Sequence, residues 1–353
     1  MIVLVDLESV STRYTCQWKT HIPKTLLARG HEVLVVEGSA AETEIPTAGA
    51  FLNFAGTQIY KAGQVAQLGH LFQSGQIPAG SHIVFTDAWH PGVLAVKYMS
   101  ALCKIPVTIH GLWHAGSYDP YDFLGRVIGD APWVRTAELS FAHAYDINYF
   151  ATAYHRDLFT RVVCGGGTAP RLQLTGWPME YLIDDLAPYR GLTKRNLILF
   201  PHRLAPEKQV EMFRDLAAQM PQYEWVVCQD QMLSKHQYHT LLGEAKVIWS
   251  ASLQETFGIA MCAEGPLVGA IPLAPNRLSY AEIFQDLPQW LYPSHWTESM
   301  ETYRNTRSCM MQRISEIVEQ YEAQQPRLQK YLTTIASRYC IATGLYTELA
   351  KEL

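Results

Sequence analysis

KVIWSASLQETFGIAMCAEG, Lys246 to Gly265, reads as a strand, a loop and the start of a helix. The apolar run ends near Ser250. The loop carries Glu255, and Gly258 stands just before the helix. Glycine lets a backbone approach a ligand closely, and the amides of Ile259 and Ala260 would open onto an anion. Glu255 can accept hydrogen bonds from sugar hydroxyls, and Glu264, about two helical turns on, can clamp a ribose diol. The same spacing also fits a plain helix start, with one acid on the dipole and one on the surface.

Working outward, LILFPHRLAPEKQV (197–210) repeats the strand–turn–helix pattern. Arg203 and Lys208 follow the strand, with Pro206 early in the helix. A guanidinium fork and an ammonium point charge near backbone amides suit a diphosphate. A solvated helix start with an exposed Lys208 fits the same letters. Further strands are expected at 195–203, 223–230 and 246–251, with helices near 207–220 and 235–243. The amino half has the same rhythm. Strands at 2–6, 31–38, 82–87 and 105–111 alternate with helical stretches, one closing at Gly30 and one running from Gly92 to Cys103. Short apolar runs joined by helices predict parallel sheets covered on both faces. Ligands in such sheets bind at the carboxyl ends of the strands. DDLAPYRGLTKRN (184–196) reads as the linker, and 298–352 as two long helices.

The chain has 353 residues, enough for two domains, and is 48% hydrophobic and 17% charged with a formal net charge of −5. That excludes a disordered chain and argues against a general nucleic-acid binder, though not against a local basic rim. Seven cysteines without a CxxC suggest neither zinc nor a disulfide framework, and a reducing cytoplasm is expected. No apolar window is long enough to span a membrane. MIVLVDLE lacks the features of a signal peptide.

In the amino half, VTIHGLWHAGSYDP (107–120) offers His110 and His114 at a strand end. FTDAWHPG (85–92) offers Asp87, Trp89 and His90. Asp87 can position or deprotonate an acceptor hydroxyl, or simply cap a helix. The turn after the first strand carries Glu8, Ser9, Thr12 and Arg13. VCGGGTAP (163–170) departs from the dinucleotide fingerprint and reads as a mobile loop near the domain junction. In TGWPMEYL (175–182), Trp177 and Pro178 read as packing residues at the start of an interdomain crossover.

Taken together, HRLAPEK (202–208), SLQETFG (252–258) with Glu264, and IPLAPNRLSYAE (271–282) resemble the carboxyl half of GT-B fold glycosyltransferases of the retaining, family-4-like type. The resemblance is clear over about 195–285 and extends to the whole chain in architecture. It implies an α/β fold of two Rossmann-like, doubly wound domains facing across a cleft. An acceptor-side domain would span 1–186 and a donor domain 195–325, and a helix at 326–353 would pack back toward the first. It implies a nucleotide-sugar donor, UDP-glucose first, with no metal and no other cofactor. Carried over, Arg203 and Lys208 hold the diphosphate, Glu255 meets the sugar, Glu264 the ribose, and Phe257, Gly258, Ile259 and Ala260 lie against phosphates and sugar. His110, Glu255 and Asp87 take catalytic roles, and Arg13, Trp89, His90 and His114 line the acceptor side. One departure is plain: the family separates its two glutamates by seven residues, and here there are eight. That implies a one-residue bulge or a Glu264 that misses the ribose.

LWHAGSYDPYDFLGR and PHRLAPEKQVEMFRDLA also resemble glycosyltransferases encoded by tailed phages, which implies a host-cytoplasmic enzyme acting on 5-hydroxymethylated pyrimidines in double-stranded DNA. Arg13, Lys19, Lys24, Arg156 and Arg161 would then form a basic rim, and Trp18, Trp89 and Trp113 would stack on an extruded base. A glycan, lipopolysaccharide or small-molecule acceptor, a UDP-sugar epimerase, and a non-enzymatic nucleotide-sugar binder are the competing readings.

Overall fold

The computed structural model describes residues 1–9, 14–39, 53–129, 131–165 and 170–351. The chain divides into two compact units. Unit 1 holds 1–151, 156–178 and 342–353; unit 2 holds 152–155 and 179–341. The division therefore falls at Pro178–Met179. The stretch expected as a linker begins inside unit 2, where Tyr181–Asp185 is helical and Ala187–Tyr189 forms a 3-10 turn.

Unit 1 is built on six strands: β1 (Ile2–Val5), β2 (Val33–Val36), β3 (Ser81–Phe85), β4 (Val107–Leu112), β5 (Ile147–Phe150) and β6 (Leu172–Leu174). They form one sheet in the order β2-β1-β3-β4-β5-β6, with every neighbour parallel. Parallel strands with helices on both faces are buried on both sides, and β1, β3 and β5 have no residue open to solvent. That is why they read as unbroken apolar runs.

Unit 2 repeats the plan with β7 (Arg195–Phe200), β8 (Glu224–Val227), β9 (Ala245–Trp249), β10 (Ile271–Pro275) and β11 (Leu291–Tyr292), in the order β11-β10-β9-β7-β8. Both sheets reverse their winding beside the first strand, between β1 and β3 and between β7 and β9. In doubly wound sheets that switch point opens a crevice at the strands' carboxyl ends. The four fully buried tryptophans Trp18, Trp113, Trp249 and Trp290 anchor the two cores; truncating one to alanine would cost about 3–5 kcal/mol.

The carboxyl-terminal stretch holds the two long helices expected, Met300–Glu319 and Tyr321–Arg338, and a third, short one, Thr343–Leu349. Ser299 and Thr302 cap the first reciprocally, the exchange of orphan donors that fixes a helix start. The last helix groups with unit 1, where Arg171 pairs with Glu348 at 2.6 Å and the Arg29 guanidinium stacks over Tyr346. Residues 326–341 stay with unit 2.

Candidate functional site

At the switch point of unit 2, two loops meet. The one after β7 carries His202 and Arg203 and then a single 3-10 turn, Pro206–Lys208. The regular helix starts only at Val210, so Lys208 belongs to the turn rather than to a solvated helix face. It is 4% exposed. Its ammonium donates to Glu255 Oε1 at 2.7 Å, Ser252 Oγ at 2.9 Å and the Gln254 carbonyl at 2.5 Å. An ammonium taken out of water needs such partners. Lys208 and Glu255, far apart in sequence, are thus one pair, the ammonium buried and the carboxylate 17% exposed.

Arg203 pairs with Glu207 at 2.5 Å, and Glu207 is itself buried. His202 Nδ1 stands 3.6 Å from Glu255 Oε1, beyond hydrogen-bond reach. Burial, then the charges of Lys208 and Arg203, push its imidazole well below the usual range, so it is neutral there.

The backbone beneath this pair is held from several sides. Gln209 adopts a left-handed φ of 56°, a conformation that is strained for a residue with a side chain and persists only where the surroundings fix it. Its amide nitrogen donates to the carbonyls of Ala251 and Thr297 at 2.6 and 2.7 Å. Arg277 donates to the carbonyls of Ser252, Ala251 and Ser294. Ser279 donates to the Phe257 carbonyl, and Tyr292 to that of Ser250. The motif PNRLSYAE therefore acts as a buttress for the Glu255 loop. Neither Gln209 nor Arg277 stood out in the sequence, because their partners are backbone carbonyls that no residue pattern reveals.

Gly258 has a φ of 79°, and a Cβ there would lie 2.9 Å from the Tyr280 ring. Only glycine fits. Helix begins at Ile259, so the amides of Ile259 and Ala260 belong to a first turn whose donors lack intrahelical acceptors. Phe257 is a correction. Its side chain is 2% exposed and stacks on Tyr339, so it packs the unit rather than facing a ligand.

The eight-residue separation of the glutamates has a structural answer. Ala260–Glu264 is a π-helical turn, and the Gly265 amide donates to the Ala260 carbonyl, five residues back. Such a turn absorbs one extra residue while the rest of the helix keeps its face. Glu264 ends this turn, and Tyr238 Oη donates to its Oε2 at 3.0 Å. Burial raises its carboxyl above the usual range, against the hydrogen bond from Tyr238 and the charge of Lys235.

Unit 1 corrects two expectations. β4 continues to Leu112, so His110 lies inside a central strand rather than at its end. It is fully buried. Its Nε2 faces His82 Nδ1 at 2.9 Å and its Nδ1 faces Tyr149 Oη at 3.0 Å. Both nitrogens are used within the core, and burial pushes its pKa down to about 3. His90 is likewise buried: Nδ1 accepts from the Gly92 amide and Nε2 meets Gln64 Oε1, each at 3.0 Å. Neither imidazole is open to solvent.

Two of the predicted residues, Asp87 and His114, do lie at the carboxyl edge of this sheet. Asp87 accepts from Lys61 at 3.0 Å and from the Trp89 amide at 3.1 Å. The following helix is preceded by Pro91 and has no side-chain cap, so Asp87 closes a local turn instead. Burial works against its charge, but Lys61, His114 and the two hydrogen bonds outweigh it and hold the carboxyl below its usual range. An acid so held is a better anchor for a hydroxyl than a base. His114 Nε2 faces the Thr86 carbonyl at 2.6 Å and carries a proton there, and Nδ1 lies 2.6 Å from Tyr14 Oη. Its ring stacks on Trp177.

Trp89 is half-buried and donates to the buried Glu138 at 3.0 Å. Trp18 and Trp113 are fully buried and unavailable for stacking on a base. Lys19 faces Asp6 and Glu37, and Arg156 pairs with Asp157. Arg13, Thr12 and most of the glycine-rich stretch after Gly165 lie outside the described residues. Among the described residues, no three His, Cys, Asp or Glu side chains gather as metal ligands, and no helix is long and apolar enough to cross a membrane.

No family model and no curated protein matches the chain. Among solved structures it is similar to the sucrose-phosphate synthase of Thermosynechococcus elongatus, with 13% identity, 99% of this chain and 98% of that one covered, and a TM-score of 0.63. The E. coli trehalose-6-phosphate structure bound with UDP-2-fluoro glucose covers 100% of this chain and 99% of its own at 10% identity, with a TM-score of 0.63. Anabaena HepE in complex with UDP and glucose covers 99% of each at 16% identity, with a TM-score of 0.57. At such identities the likeness is one of fold: two parallel-sheet, Rossmann-like domains of the GT-B type.

Proposed function

We propose that this chain is a glycosyltransferase that moves a hexose from a nucleotide-diphosphate sugar, UDP-glucose first, to an acceptor hydroxyl. One observation carries the reading: a pair of the buried Lys208 and the partly exposed Glu255, flanked by Arg203 and by Gly258 at a helix start, sits at the switch point of unit 2. The fold is shared with proteins solved in complex with UDP or a UDP-sugar.

In this reading Arg203 and the amides of Ile259 and Ala260 take the diphosphate, and Lys208 adds positive potential where the leaving oxygens gain charge. Fixed donors of this kind stabilise charge without reorganising during the reaction. Glu255 exchanges part of its bond to Lys208 for the sugar hydroxyls, and Glu264 takes the ribose. Asp87 anchors the acceptor hydroxyl. Attack from the face the diphosphate leaves retains the anomeric configuration, as the resemblance implies.

For the acceptor, the phage resemblance favours a 5-hydroxymethylated pyrimidine in duplex DNA. A second reading, an uncharged glycan or small hydroxylic molecule, is favoured by the side chains themselves: Trp18 and Trp113 are buried, and Lys19 and Arg156 face carboxylates.

A transfer assay tests both. Protein and UDP-glucose are incubated with duplex DNA carrying 5-hydroxymethylcytosine, or with a panel of glycans, and products are read by mass spectrometry. A hexose added to one acceptor class, and lost in Arg203→Ala and Glu255→Ala, is the expected result. Isomerised donor without acceptor would indicate an epimerase. No transfer or UDP release from any nucleotide sugar would overturn the reading.

A further inference from the structure

Glu264 owes its place to two features outside the motif it belongs to. The first is the π-helical turn Ala260–Glu264. Each residue added to an α-helix turns everything after it by about 100°, so without the five-residue hydrogen bond Glu264 would point to another face. The second is Tyr238, the fourth residue of the helix Lys235–Glu244. That helix leads from β8 to β9, and the Glu264 helix leads from β9 to β10. Right-handed crossovers running the same way along a sheet place both helices on one face. The bond from Tyr238 Oη to Glu264 Oε2, at 3.0 Å, ties them together beside the switch point. Among the described residues, no hydrogen bond reaches Glu264 Oε1.

We propose that Tyr238 is a positioning residue for nucleoside recognition: by holding Oε2, it aims Oε1 of Glu264 at the ribose hydroxyls of the donor. The inference rests on the nucleotide-sugar reading and deepens it. Glu264 touches the ligand and Tyr238 acts through Glu264. A phenol is suited to the task because its O–H can only donate to a carboxylate, whereas an amide could swap its ends. The raised carboxyl of Glu264 fits a group that depends on such a donor to stay ionised.

Calorimetry with the full chain tests this, using whichever of UDP, ADP and GDP binds most tightly and its 2′,3′-dideoxy form. Wild type should prefer the ribose form by about tenfold or more, as expected for a hydrogen bond to a charged group. Tyr238→Phe keeps the ring but loses the donor. It should weaken the ribose nucleotide about three- to tenfold, the equivalent of one hydrogen bond, and leave the dideoxy form unchanged. Glu264→Gln, which retains the shape, should narrow the preference in the same way and serves if Tyr238→Phe does not fold. An unchanged ribose preference in Tyr238→Phe, or an equal loss for both nucleotides, would overturn the role of Tyr238 alone. Absence of binding of every nucleotide by wild type would overturn the nucleotide-sugar reading, and this role with it.

Discussion

Lys208 has four acceptors within reach and almost no solvent. Removing it does two things. It strips charge from the proposed diphosphate site, and it leaves Glu255 beside a neutral histidine with no cation. Lys208→Ala should therefore lower stability by about 3–5 kcal/mol, as breaking a buried pair does, and abolish UDP binding. Arg203→Ala takes the guanidinium from the buried Glu207 and should lower the melting temperature, though less than Lys208→Ala because Arg203 is itself partly exposed, while weakening UDP by about 10–100-fold, the worth of a charge-assisted pair. Thermal melts and calorimetry on both variants check this; equal destabilisation would contradict the assignment. His110 makes the opposite case. It is a polar member of the core, so His110→Asn should reduce stability while kcat in the transfer assay stays within a few-fold of wild type. A loss of kcat with an unchanged melting temperature would return His110 to the active site. The sequence misleads there because Gly111 looks like a strand end, while the ladder with β5 runs on through Leu112.

The strands were legible wherever both faces are buried, because an unbroken apolar run has few other fates. The Glu255 loop and the Lys208 turn could be placed because both lie between a strand and a helix start. The Tyr238–Glu264 bond and the clamps by Gln209 and Arg277 could not, since each joins segments brought together only by the crossovers. The extra residue between the two glutamates was visible as a count, but a count does not say whether a helix shifts or bulges. The π-turn at Ala260–Glu264 decides it, and a prediction follows. Deleting Ala263 should convert the turn to regular α-helix, return the separation to seven residues, and keep UDP binding within about tenfold, because a π-bulge is a one-residue insertion. A deletion variant that folds but has lost all ribose preference would contradict this account of the turn.

Across the whole chain, the buried imidazoles set the response to acid. Burial lowers the pKa of His82, His90, His110, His202 and His239, to about 3 for His90 and His110 and about 4 for His239. The folded state keeps these rings neutral, whereas the unfolded chain protonates them as pH falls through about 6.5. Below that pH the unfolded state binds more protons, so stability must fall. Asp6 acts the other way. Burial raises its pKa to about 6 against Lys19, so its cost is relieved as pH falls from about 6 toward 3.8. Glu264, also raised by burial, acts as Asp6 does, but two carboxyls do not offset five imidazoles. The melting temperature should drop between pH 7.5 and 5 at constant ionic strength, and Asp6→Asn should make the drop steeper. A flat profile would contradict the burial of these rings.

The central claim is that a nucleotide sugar binds at the switch point of unit 2. Amide hydrogen exchange read by mass spectrometry, with and without saturating UDP-glucose, tests it most directly. The account predicts slowed exchange in peptides covering 202–210 and 255–265, with little change in β1, β3 and β4. Protection confined to the carboxyl edge of unit 1, or UDP-glucose binding that leaves 255–265 unprotected, would contradict it.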